Sequence, residues 1–482
     1  MSDRSSRPVS TLIRLAAATA AATGLLLSPL SVSASWTRFH ADEANTGFVD
    51  VVTTPAGKGS LSVPGLGTFA PGGGPVIAPD GTVYLGTEQG KLIALQADGR
   101  QIWSRELAQA FPGLNLNAVA SPAVGADGSI YVIGVVTFRD HTGGQTVTRH
   151  ISELHKFTPG GGFLWHARLP ARELGGGGRA AAPPNIWASS GAEAVMVYAV
   201  YPLGVGRLFA FSTDGAILAE TVVSRAPNSE GVFDFCDSAL GFGCFHLPPG
   251  QPADPADRLP AHFGRPGAGP AVVQVAGGPP LVVLADQFND VVGYSFSPTT
   301  GFIERSRARD RARLMRSSPM LLLSGHTAVG TAGVDSGDGA IVFAGPAASK
   351  LQPVTVKGMG QILATPARLA DDRFVVVELR SNGSAISVLK RVPVAVPPPV
   401  RILSRTVLPG QSIAAAAASR THVFVSTAGA FHSFDAETMT EVSRFSWVGG
   451  GMAPPAIGPA GHIYAIASNI LFIFPPPGGF GP

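Results

Sequence analysis

Short apolar runs alternate with polar turns along most of this chain, and the runs return in a fixed order. A start containing Pro or a small residue leads into two or three apolar residues. A turn with Asp or Gly follows, then a second apolar run. The clearest copy is Gly74-Pro75-Val76-Ile77-Ala78-Pro79-Asp80-Gly81 followed by Thr82-Val83-Tyr84-Leu85-Gly86. Residues 121–128 followed by Ser129-Ile130-Tyr131-Val132 repeat it, as do residues 455–461 followed by His462-Ile463-Tyr464-Ala465. Weaker copies start at Pro183, Pro270, Pro319, Pro366 and near Ala415. A second half-pattern recurs too: Lys91-Leu92-Ile93-Ala94-Leu95 leads through Asp98-Gly99 to Ile102-Trp103, and Glu153-Leu154-His155-Lys156-Phe157 leads through a glycine turn to Leu164-Trp165. Alternation with period two, broken by Asp/Gly turns, predicts antiparallel strands joined by hairpins.

The starts recur about every 40–50 residues with four strand-like runs per unit, which is the spacing of propeller blades. The expected fold is therefore all-β: a single β-propeller of about eight four-stranded blades, seven being the other count. The last unit has room for only three strands. The isolated segment Ser35-Trp36-Thr37-Arg38-Phe39-His40 is the expected donor of the fourth, so that both chain ends share a blade and no sheet edge stays open.

Composition agrees. Of 482 residues, 45% are apolar and only 14% charged, while Gly (60) and Pro (41) are abundant; many tight turns between short buried strands account for all of these. The first residues read differently. Arg4, Arg7 and Arg14 precede an Ala/Leu-rich stretch, and Val32-Ser33-Ala34 offers small residues for cleavage. Residues 1–34 are expected to be a signal peptide, which places the mature protein in the periplasm or outside the cell. Its removal takes the formal charge from +3 to nearly neutral, which argues against nucleic acid as a partner. Residues 35–475 form the expected propeller, with an inserted loop at about 225–268, and 476–482 read as a disordered tail. In an exported chain Cys236 and Cys244 form a disulfide or remain two free thiols.

The segment GTVYLGTEQGKLIALQADGRQIWS (81–104) resembles the repeat of the pyrroloquinoline-quinone-type (PQQ-type) propeller family, and the units together cover nearly all of 36–475. The resemblance implies that Trp103 and Trp165 dock onto neighbouring blades. It also raises quinoprotein chemistry, for which calcium ligands and a catalytic Asp would be needed. No residues align with such a set, and the two cysteines are not adjacent, so no cofactor is expected; PQQ with calcium is the alternative.

Catalytic residues are not assignable from the sequence. Arg305, Arg307, Arg309, Arg311 and Arg313 alternate strictly, which places them on one face of an outer strand; Arg305, Arg309 and Arg313 would also share a helix face. As a strand they guard an edge or meet an anionic partner. No HxxxH or HExxH spacing points to a metal. The expected function is an exported, monomeric, non-catalytic scaffold for an extracytoplasmic protein or polysaccharide. The alternative is an enzyme, quinoprotein-type or other, at the central channel mouth.

Overall fold

The computed structural model describes residues 36–480 except 58, 71–72, 108–116, 119, 143–144, 173–176, 181, 202–204, 225–232, 236–244, 248–268, 276–278, 286–289, 310–312, 316–319, 323–326, 334–339, 345–350, 357, 370–371, 381–382, 392–399 and 452. Among the described residues there is no helix, and so none long and apolar enough to cross a membrane. The strands make eight sheets of four or five strands, plus one two-stranded ladder, Phe233–Phe235 with Phe245–Leu247. Each large sheet is one blade. The innermost strands neighbour one another round a ring, and buried apolar residues of consecutive blades pack face to face.

The first blade shows the logic. Its strands are Val76–Ile77, Val83–Gly86, Lys91–Leu95 and Gln101–Glu106, in that order from hub to rim. The inner three are almost wholly buried, hence apolar on both faces, while the rim strand alternates. Pro75 precedes the inner strand, where its missing N–H costs no ladder bond. At the turns an Asp carboxylate accepts the amide two residues on, Asp80 from Thr82 and Asp98 from Arg100, as the Asp-Gly signal requires.

Tryptophans couple the blades. Trp103, on the first blade's rim strand, donates its indole N–H to the Pro159 carbonyl at 2.9 Å, in the outer turn of the second blade. Its ring lies on Gly161, whose φ of 81° and missing Cβ are both needed, because a Cβ there would stand 2.7 Å from the indole. Trp165 repeats this on the third blade, donating to Thr213 at 3.0 Å and lying on Gly215. Farther round, Ala219 faces Gly301 instead, leaving a smaller dock.

Closure differs from the expectation in its donor. The last blade, Ala456–Ile457, Ile463–Ala467 and Ile470–Phe474, takes its rim strand from Leu61–Val63, antiparallel to the third. Both ends of the propeller do share a blade, but residues 36–40 are not the closing strand. Trp36 instead bridges Ile77 at the hub. The reason is polarity: Leu61 and Ser62 are exposed, as a rim strand requires, whereas Trp36, Phe39 and His40 are buried. The segment after Pro475, expected as a disordered tail, is described through Phe480, whose ring lies 5.9 Å from His462. The cysteines, residues 1–34 and most of 225–268 lie outside the described residues.

A filled hub, a bulged rim and a buried histidine cluster

Residues 36–51 occupy the hub. Backbone N–H groups of the innermost strands donate to their carbonyls in turn: Ile77 to Trp36, Val124 to Thr37, Val272 to Glu43, Leu321 to Ala44, Arg368 to Thr46 and Ala418 to Gly47, all at 2.6–3.1 Å. The third blade joins through the Asn185 amide, which donates to Glu43 and Pro270 carbonyls at 2.9 and 2.8 Å. Phe48–Val49 then pairs parallel with Ala417–Ser419. Six inner strands would otherwise carry an unpaired amide, and this one segment accepts from all six while holding a seventh blade through Asn185.

The polar side chains of the segment hold its own turns. His40 is buried, with Nδ1 2.8 Å from the Asn45 carbonyl and Nε2 2.9 Å from the Ala416 carbonyl; burial lowers its pKa, against both bonds. Its ring packs on Gly47, where a Cβ would overlap it. Asp42 accepts from the amides of Ala44 (3.1 Å) and Thr46 (3.0 Å) and from the Thr46 hydroxyl. Burial raises the Asp42 pKa to about 6, in spite of the Thr46 bonds and Arg368 nearby. Glu43 is paired with Arg38 at 2.9 Å.

The rim carries a repeated irregularity. With the blades numbered in chain order, the rim strands of blades 1 (Gln101–Glu106), 2 (Phe163–Arg168), 3 (Ile217–Ser224), 4 (Gly301–Arg309), 6 (Val400–Leu408) and 7 (Glu441–Ser446) each gain one residue against their neighbour shortly after the outer turn. The extra residues are Ile102, Leu164, Leu218, Arg305, Leu403 and Val442. A bulge breaks alternation and turns a side chain outward. Ile102, Leu164, Leu403 and Val442 are accordingly exposed, by 45–48%.

This bulge rearranges the arginine run. Arg305 is the extra residue itself, so strict alternation fails there. It is exposed and its Nε donates to the Ser295 hydroxyl at 2.7 Å. Arg307 is paired with Glu304 and donates to the Val223 carbonyl of the preceding blade. Arg309 ends that strand, Gly301–Arg309, while Arg313 begins Arg313–Met315 in the next sheet. Arg311 lies outside the described residues. The run is thus divided between two blades instead of lining one face.

A different group comes together in the second blade, where spacing gave no signal. Ile130–Thr142 and Gln145–Phe157 form a hairpin far longer than its counterpart in the first blade, and Phe163–Arg168 is its rim strand. His155 lies opposite His166 across this ladder, and Glu153 is two residues along on the same face. Glu153 Oε2 is 3.6 Å from His155 Nε2 and 3.6 Å from His166 Nδ1. Glu153 and His155 are buried; His166 is half exposed. Neither ring nitrogen of His155 and not the Oε2 of Glu153 has a hydrogen-bond partner. Burial first, then His166, pushes His155 down to about 3, so its ring is neutral at neutral pH; burial raises Glu153, against His166 and Arg168. A cavity of about 390 Å³ lined by Phe138, His150, Arg168 and Leu169 opens on the same blade. The readable signal was the register, which sets His155 and His166 opposite each other across the turn at 158–162.

A family profile described as outer membrane protein assembly factor BamB matches residues 60–177. Among solved structures, BamB from Moraxella catarrhalis is similar over 88% of this chain and 98% of its own, with a TM-score of 0.52 and 12% identity. The Dos1 propeller is similar over 87% and 94%, with a TM-score of 0.52 and 10% identity. No curated protein matches the sequence. The eight large sheets among the described residues and these likenesses show a β-propeller, and its residues 60–177 are similar to the PQQ-type repeat that the profile describes.

Proposed function

We propose that this chain is an exported scaffold that binds a protein partner on the outer surfaces of its blades. The observation that carries this reading is the filled hub. The axis, where a channel-mouth enzyme would gather its groups, is taken by residues 36–51, held by backbone amides of six blades and by the Asn185 side chain of a seventh. The residues there do not fit a quinone with calcium: the Asp42 carboxylate is committed to its own turn, Glu43 to Arg38, and both nitrogens of His40 to carbonyls. What remains for recognition is the rim and its loops, a surface that propellers vary freely. The outward aliphatic residues at the bulges supply apolar contact there, with Arg305 at the equivalent place in blade 4 for an acidic group. The apolar leader at 1–34 and the likeness to a BamB support a periplasmic or secreted location.

Photo-crosslinking residues at Ile102, Leu164, Leu403 and Val442, one at a time, test it in the extracytoplasmic fraction. The expected result is a discrete protein adduct from some rim positions and not from others. Adducts from none, together with dye reduction when PQQ and Ca²⁺ are added with alcohols or sugars, would favour the enzyme reading. Retention on a polysaccharide column without a protein adduct would change the partner class.

A further inference from the structure

We propose that Glu153, His155 and His166 form a binding site for a divalent transition metal, Zn²⁺ by its donor set. Two imidazoles and one carboxylate are the ligands of an open zinc site, with a fourth position left for water. The donor atoms of the three residues all lie within 4.8 Å of one another. Tetrahedral zinc with bonds of about 2.0–2.1 Å needs donors about 3.4 Å apart, and Glu153 Oε2 stands 3.6 Å from each histidine. The adjustment needed is a small side-chain movement.

The second observation is the state of the buried groups. His155 is fully buried with neither nitrogen hydrogen-bonded, and the Glu153 oxygen aimed at it has no hydrogen-bond partner. Buried polar atoms are ordinarily satisfied. The same blade position elsewhere shows how: it holds Ile93 in blade 1 and Phe209 in blade 3, both apolar. In blade 7 it holds His432, with Nδ1 2.8 Å from Glu441 and Nε2 3.2 Å from Thr427. A metal ion would give the His155–Glu153 pair the partner it lacks. The half-exposed His166 supplies the route in and keeps the open coordination position toward solvent. An imidazole-rich set favours zinc over calcium or magnesium, which take oxygen donors.

The untagged protein, stripped with EDTA, would be titrated with ZnCl₂ against a chromophoric chelator. Co²⁺ would be added in parallel to read tetrahedral d–d absorption. The expected result is one equivalent of Zn²⁺, a higher thermal midpoint with zinc, and intense visible Co²⁺ bands. His166→Ala removes a half-exposed ligand, so it should fold and yet lose at least about 100-fold in affinity; Glu153→Gln should lose affinity as well. His462→Ala, distant from the cluster, should bind like the parent. No stoichiometric uptake by the parent protein, or uptake undiminished in folded His166→Ala, would overturn the site.

Discussion

His155 and His432 sit at corresponding places in blades 2 and 7, one residue before the point where each rim strand bulges, and both are fully buried. Their surroundings are opposite. His432 is closed between Thr427 and Glu441, and Glu441 is itself paired with Arg444. His155 meets a carboxylate at 3.6 Å and a second imidazole, with no hydrogen bond. Blade 6 puts Ser387 at this position, bonded to the buried Glu378. That carboxylate also takes Arg380 at 3.0 Å, Arg405 at 3.2 Å and the Gly360 amide at 2.8 Å. Polar groups inside a blade are thus tolerated where the blade supplies their partners. For His155 blade 2 supplies no hydrogen-bond partner, and the proposed ion is what would fill that place.

The largest effect separating these clusters is expected at Glu378. Replacing it by Ala strips two arginines, one amide and the Ser387 hydroxyl of their acceptor. Because both arginines reach solvent, the loss should be about 2–3 kcal/mol, below that for a fully buried pair; a denaturant melt of the variant checks it. His432→Phe loses two hydrogen bonds and should cost about 1–2 kcal/mol in the same assay.

Acid should act through His155. Its folded pKa of about 3 lies below the roughly 6.5 of an unfolded histidine. Between those values the unfolded chain binds a proton that the folded chain does not, so stability falls as pH drops from about 6.5 toward 3. Glu153, raised by burial, acts in the opposite sense. In metal-free buffer, thermal midpoints across this range should fall less steeply for His155→Phe than for the parent. An unchanged slope would mean that His155 is not held neutral.

The smallest effect is His155→Phe itself at neutral pH without metal. It gives up no hydrogen bond and fills the place of Phe209 in blade 3, so the midpoint should hold or rise slightly. A loss as large as that of His432→Phe would break the comparison.

The blades were legible because their signals are local. Asp80-Gly81 and Asp98-Gly99 mark turns by a carboxylate and a positive φ, and period-two alternation marks the strands between. The hub was not legible. Residues 36–51 bind through backbone carbonyls, which leave no side-chain signature, so Trp36 and Phe39 read as a strand. The arginine spacing misled for a related reason: Arg305 is itself the bulge residue, and Arg313 already belongs to the next blade. The Glu153–His155–His166 group escaped because metal spacings such as HExxH describe one helix, whereas these donors meet across a hairpin.

The filled hub is the claim on which the scaffold reading stands, and hydrogen exchange read by NMR at the amides of Ile77, Val124, Val272, Leu321, Arg368 and Ala418 tests it most directly. If residues 36–51 satisfy them, all six exchange slowly and together, at the rate of the blade interiors. Fast exchange at these positions, with the middle strands still protected, would show an open axis and return the channel mouth to consideration as an active site.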